Sequence, residues 1–257
     1  MTIRFKICSF ISFLIFGAVS HLASAQDLEA TKVLAQQGDP QAQNLLGVMY
    51  DYGLGIPEDD DEALRWYRKS ADQGYADAQL SLAGVYELGS ILPKDDVEAV
   101  RWYRKAAEQG HAIAQSSLGI KYREGEGISK DEEEAVRWFR KSAEQGYANA
   151  QFDLGFSYAL GEGLPEDDEE AMRWFRKAAE QGHANAQYKL GESYANGTGV
   201  NQNLILSYQW LTLAAGQRAP DAFQGLKIVS KLMTPDQITE AQDITLVCFS
   251  NNYIGCD

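Results

Sequence analysis

Apolar positions along this chain return on a fixed step of 36 residues. The largest mark it plainly: Trp66, Trp102, Trp138, Trp174 and Trp210 are the five tryptophans of the chain, each 36 residues after the last. Other columns keep the same step. Ala42, Ala78, Ala114, Ala150, Ala186 and Ala222 form one. Gln43, Gln79, Gln115, Gln151 and Gln187 form the next, and Tyr50, Tyr86, Tyr122, Tyr158 and Tyr194 another. Gly53, Gly89, Gly125, Gly161 and Gly197 close each block. A period of this length belongs to stacked helical hairpins, which bury their apolar faces only against neighbouring copies.

Each unit reads as two helices. Helix A is predicted from about Ala42 to Tyr52, followed by the loop Gly53-Leu54-Gly55-Ile56-Pro57. Helix B is predicted from about Asp60 to Gln73, with Gly74 as its stop. Its apolar stripe is Ala63, Trp66, Tyr67 and Ala71, while Arg65, Arg68 and Lys69 lie outside. Asp59 with Glu62 has the spacing of a capping box, repeated at Asp95 and Glu98, Asp131 and Glu134, and Asp167 and Glu170. A carboxylate there caps free N–H groups and suits the positive helix start. Arg68, Arg104, Arg140 and Arg176 stand four residues before an acid, which predicts ion pairs along the helix.

The repeated motif is Ala-x-Ala-Gln-x-x-Leu-Gly-x-x-Tyr-x-x-Gly-x-Gly, then Asp-x-x-x-Ala-x-x-Trp-(Tyr/Phe)-Arg-Lys-(Ala/Ser)-Ala-x-Gln-Gly. Residues 148–163 and 167–182 carry it throughout. It resembles the Sel1-like repeat family, relatives of the tetratricopeptide repeats, over about residues 38–231. The resemblance implies an all-α, right-handed α-solenoid of helix-turn-helix repeats whose A helices line a groove. The second repeat departs, with Ile91 where the second loop glycine should stand. A β-branched residue resists positive φ, so that loop should differ.

The ends depart from the pattern. Residues 1–25 read as a secretory signal peptide. Arg4 and Lys6 precede a mostly apolar stretch from Ile7 to Val19, and Ala23-Ser24-Ala25 offers a cleavage site. A periplasmic or secreted protein is expected, with no transmembrane segment. Residues 26–38 are expected to form an N-terminal capping helix, and residues 39–232 five full repeats and a partial sixth. Residues 233–257 read as a closing helix and tail, beginning at Thr234-Pro235-Asp236-Gln237.

The chain has 23 basic and 37 acidic residues, and loss of the leader would take the net charge from −14 to −16. Such a surface repels nucleic acid and anionic lipid and favours a basic partner. Cys248 and Cys256 are the cysteines that remain, and an oxidising compartment favours a disulfide between them.

Catalytic chemistry finds little support. Gly155-Phe156-Ser157-Tyr158-Ala159 and Gly191-Glu192-Ser193-Tyr194-Ala195 mimic hydrolase elbows, but both lie inside helix A rather than on a strand-to-helix turn. The Gly-x-Gly loops lack the strand a dinucleotide site needs. His111 and His183 share a column with Tyr75 and Tyr147, so packing explains them better than metal binding. The acidic runs lack calcium-loop spacing. No catalytic, metal or cofactor residues are assigned.

What varies between repeats marks the free face. Constant columns 42, 43, 46, 47 and 50 span an arc of about 140° on a helix of 3.6 residues per turn. The variable arc holds Asn44, Val48, Leu80, Ser116, Ile120, Phe152, Phe156, Leu160, Tyr188 and Glu192. The resemblance puts this arc near the groove, where aromatic side chains serve as binding hot spots; packing against the next A helix would explain it equally. The expected function is a non-enzymatic scaffold or adaptor with a protein or peptide ligand in the groove. Regulation of a membrane sensor or an envelope complex is the kind of role such an adaptor fits. Two alternatives remain open: a cell-wall or β-lactam-acting hydrolase, which the family resemblance suggests, and a structural spacer.

Overall fold

The computed structural model describes residues 25–253 and Cys256; the expected leader lies outside them apart from Ala25. The described residues form helices in sequential pairs, with no strand among them. They are α1 (Ala25–Gln36), α2 (Pro40–Tyr52), α3 (Asp60–Asp72), α4 (Ala76–Leu88), α5 (Asp96–Glu108), α6 (Ala112–Glu124) and α7 (Glu132–Glu144). There follow α8 (Ala148–Leu160), α9 (Asp168–Ala179), α10 (Ala184–Asn196), α11 (Leu204–Gly216), α12 (Ala222–Ser230) and α13 (Pro235–Ser250). The chain divides into two compact units: residues up to Ala114 with Glu126–Ser129, and Gln115–Gly125 with Lys130 onward.

One set of backbone devices builds every hairpin. Asp59 Oδ1 accepts from the Glu62 N–H at 3.0 Å, and Asp131 and Asp167 repeat this at 2.9 Å. The reciprocal half of the capping box does not form in these repeats, because the cap's own N–H is already engaged. Asp59 N donates to the Tyr50 carbonyl at 3.0 Å, and Asp167 N to that of Tyr158 at 2.9 Å. That bond ties the start of helix B to helix A. The freed glutamates instead hold arginines one turn on, as Glu134 holds Arg137 and Glu170 holds Arg173. A complete box forms at Thr234 and Gln237, where α13 starts. Arg140, expected beside Glu144, donates to the Tyr158 hydroxyl at 2.9 Å.

In the first unit Trp66 packs against Ala35, Ala42 and Leu46, so it joins α1 to the first hairpin. The second unit repeats this geometry. Trp174 packs with Ala135, Val136, Phe139 and Ala143 of α7 and with Ala150 and Leu154 of α8. Trp66 and Trp174 therefore each bridge their own hairpin and the helix before it. A glutamine ladder runs beside these contacts. Gln73 Nε2 donates to Gln43 Oε1 at 2.7 Å, and Gln43 Nε2 to the Ala35 carbonyl at 3.0 Å. Gln181 to Gln151, and Gln217 to Gln187, repeat the first bond at 2.7 Å. Gln43, Gln151 and Gln187 are thus buried amides with both ends satisfied, as a low-dielectric interior requires. The next column position is Phe223, 75% exposed, and the ladder stops there.

Two glycine positions are dictated by contact. A Cβ on Gly155 would lie 2.8 Å from the Phe175 ring, and one on Gly47 2.7 Å from that of Tyr67. The second loop glycine is held by the preceding hairpin: a Cβ on Gly163 would come within 2.2 Å of the Glu132 carbonyl oxygen. Ile91, at the same position, does not adopt the positive φ of Gly127, Gly163 and Gly199, so its loop differs as the sequence implied.

At the far end of the second unit, a disulfide joins Cys248 and Cys256, with Cα atoms 5.0 Å apart. The Cys256 carbonyl accepts from Gln209 Nε2 at 2.7 Å. Gln209 and Leu213 are buried where earlier repeats carry exposed arginine and lysine, as at Arg173 and Lys177. The tail covers that face, so charge there would be costly.

Candidate interaction site

The columns that vary in helix A do not all reach the surface. Val48 and Ser116 are only 6% and 3% exposed and offer nothing to a partner, which corrects their placement on an open groove. The reason is stacking between successive A helices: Asn44 Oδ1 accepts from Ser81 Oγ of the next repeat at 3.2 Å. Leu80 is half-buried, and Ile120 packs against the core around Trp174. Phe152 leans inward, with ring centroids 5.6 Å from Phe175 and 4.7 Å from His183. Tyr188 packs on the cluster around Leu211 and Val229, away from Phe152.

Three of the candidates do converge. Phe156, Leu160 and Glu192 line a pocket of about 220 Å³ between α8, α9 and α10. Its floor is Ala171, Met172 and Phe175, and Asp168, Ser193 and Thr198 complete the rim with Lys189 and Asn196. Leu160 is 53% exposed at its edge. Lys189 Nζ bonds Glu192 Oε2 at 2.9 Å.

The pocket coincides with a substitution in the column of Asp51. In the first repeat the Tyr67 hydroxyl donates to Asp51 Oδ2 at 3.2 Å, and in the second that of Tyr103 donates to Glu87 Oε2 at 2.6 Å. Burial and Asp51 push the Tyr67 phenol well above its usual range. In the third, Arg123 lies 5.2 Å over the Phe139 ring and bonds Asp153 at 2.8 Å. Burial raises the Asp153 carboxyl, and Arg123 counters that. In the fourth repeat the pair becomes Ala159 and Phe175, and the space the longer side chain filled is open. Sequence reasoning did not match this column to the aromatic column of helix B, with which it changes in step.

The five-fold pairing of A and B helices, the tryptophan step and the loop glycines agree with one family. The Sel1 repeat profile matches residues 40–75, 76–111, 112–147, 148–183 and 184–217. The chain belongs to the Sel1 repeat family. Among solved Sel1-type structures it is similar to a protective antigen of uropathogenic Escherichia coli with an SLR fold. The identity is 35% and the TM-score 0.83, over 90% of this chain and 50% of that one. The chain thus spans about half the length of that relative. A Sel1 repeat protein from Oxalobacter formigenes matches at 37% identity and TM-score 0.70, over 79% of this chain and 83% of that one. An immunity protein of Pseudomonas aeruginosa, at 20% identity and TM-score 0.54 over 80% of each chain, shares the fold. No curated protein matches the chain.

The remaining candidates serve the Sel1 scaffold. His183 Nδ1 accepts from the Ala186 N–H at 3.1 Å, so this histidine caps α10, and burial lowers its pKa. His111 Nδ1 does the same for Ala114, while its Nε2 lies 2.9 Å from Asp77 Oδ1. The sequence suggested packing for this column; capping is the added role. Ser157, in the first elbow-like stretch, is 2% exposed and its Oγ donates to the Asp153 carbonyl. Among the described residues no three His, Cys, Asp or Glu groups converge on a metal site, and no helix is long and apolar enough to cross a membrane.

Proposed function

We propose that this Sel1 repeat protein is a non-catalytic, exported scaffold that holds a protein or peptide segment against the A helices of its later repeats. The observation that carries the reading is the pocket between α8 and α10, with Phe156 and Leu160 on one wall and Glu192 on the other. It sits on the variable arc of helix A, the side the repeat's own packing leaves free. An apolar wall beside fixed polar groups is the usual make-up of a recognition pocket. Export is supported by the leader-like sequence at residues 1–25 and by the bonded Cys248 and Cys256. The similarity to a protective antigen of uropathogenic Escherichia coli is in keeping with it. An adaptor of an envelope complex or of a membrane sensor is the role this arrangement fits.

The test is affinity capture with in-cell cross-linking, comparing wild type with Phe156→Ala/Leu160→Ala/Glu192→Gln. Circular dichroism must first show that the variant folds. One protein enriched with wild type and lost with the folded variant supports the reading. Equal capture by both places binding elsewhere and removes the proposed site.

A further inference from the structure

The lining of the pocket is divided in a way that selects a chemistry. Phe156, Met172 and Phe175 supply a continuous apolar surface, while two carboxylates, Asp168 and Glu192, stand at its rim. Lys189 is also present but is held by Glu192 at 2.9 Å. The lining therefore carries a net charge of about −1 at neutral pH, counting ordinary side-chain pKa values. No donor among the described residues engages the Asp168 carboxylate. A purely apolar guest would strand that carboxylate away from water at a cost. A guest with an aliphatic stem and a cationic tip would not: its stem covers the apolar floor, as such side chains do at interfaces. Its tip meets the rim and brings the site to neutrality.

From this we infer that the pocket receives a single arginine or lysine side chain from an extended segment of the partner. The inference rests on the scaffold reading above and specifies its ligand. The whole chain, at net charge −14, would draw such a segment in. A guanidinium suits the site better than an ammonium, because its plane can stack on Phe156 and fork to a carboxylate.

Methionine methyl NMR provides a direct test. Met172 lines the pocket, while Met49 and Met233 are buried elsewhere and serve as internal references. The probe is the capped peptide Gly-Gly-Arg-Gly-Gly, compared with the same peptide carrying citrulline, the neutral isostere of arginine. The expected result is a saturable shift of the Met172 methyl with the arginine peptide, at about ten-fold lower concentration than with citrulline. Asp168→Asn/Glu192→Gln, checked for an unchanged melting temperature, should erase that preference. Equal response to both peptides would overturn the inference, since the pocket would then read only apolar shape. No Met172 response to either peptide, with a partner still captured through Phe156 and Leu160, would also overturn it and leave the scaffold reading standing. Loss of capture as well would remove both.

Discussion

The first and fourth repeats treat the same gap between their helices in opposite ways. In the first, a buried tyrosine hydroxyl reaches a carboxylate, Tyr67 to Asp51, and the gap is filled. In the fourth, Phe175 faces Ala159 and the gap becomes the pocket. The backbone devices are the same in both: the aspartate cap, the tyrosine carbonyl that takes the cap's N–H, and the glutamine pair. A solenoid can therefore change one matched pair of side chains and turn a sealed repeat into an open one without changing its frame.

The comparison breaks most forcefully if a carboxylate is placed where the fourth repeat has none. Ala159→Glu should bury a charge beside Phe175, which has no hydroxyl to offer. A loss of about 2–4 kcal/mol is expected in urea unfolding. Adding Phe175→Tyr restores the donor and should recover at least about 1 kcal/mol of it. That double variant copies the second repeat, so it should also fill the pocket. The converse change is smaller. Tyr67→Phe takes the hydroxyl from Asp51 and should cost about 1–3 kcal/mol, a cost that should shrink when Asp51→Ala is already present. A non-additive double-mutant cycle would establish the pair.

The tail separates the two ends of the repeat array in the same way. Cys248→Ala/Cys256→Ala opens a short loop, and a loss of about 2 kcal/mol is expected, matched in wild type by adding reductant. The smallest effect concerns His183. Burial lowers its pKa, so the folded chain binds this proton less readily than the unfolded chain. Its contribution is complete above the unfolded value of about 6.5 and is lost as pH falls below it, toward the lowered folded value. His183→Asn keeps a cap and should remove that slope from the stability profile below about pH 6.5.

The frame was legible in the sequence because every repeat restates it: tryptophan, glutamine, tyrosine and glycine columns leave no room for another period. The caps at Asp59 and its equivalents could be read from spacing, but not the competition for the cap's N–H, which depends on where Tyr50 brings its carbonyl. The site was only half legible. Phe156, Leu160 and Glu192 stood out as variable, yet so did Val48 and Ser116, which the neighbouring helices bury. Helical-wheel position tells which arc a residue occupies, not how closely the next helix approaches it. Met172, Phe175 and Asp168 were missed because their columns keep one character between repeats: Leu64, Val100, Val136 and Met172 are all apolar, Tyr67, Tyr103, Phe139 and Phe175 all aromatic, and Asp60, Asp96, Glu132 and Asp168 all acidic. The signal lay in pairs, Asp51 with Tyr67 and Ala159 with Phe175, and single columns do not reveal it.

Leu88 and Leu160 occupy the same column and are 51% and 53% exposed. A photo-cross-linking residue at each position, in cells, compares a sealed repeat with the open one at equal exposure. A discrete protein adduct is expected from position 160, absent from position 88 and abolished by Ala159→Glu/Phe175→Tyr in a variant that still folds. Equal adducts from both positions, or an adduct at 160 that survives the filled pocket, would contradict the claim that the open fourth repeat is where this protein binds its partner.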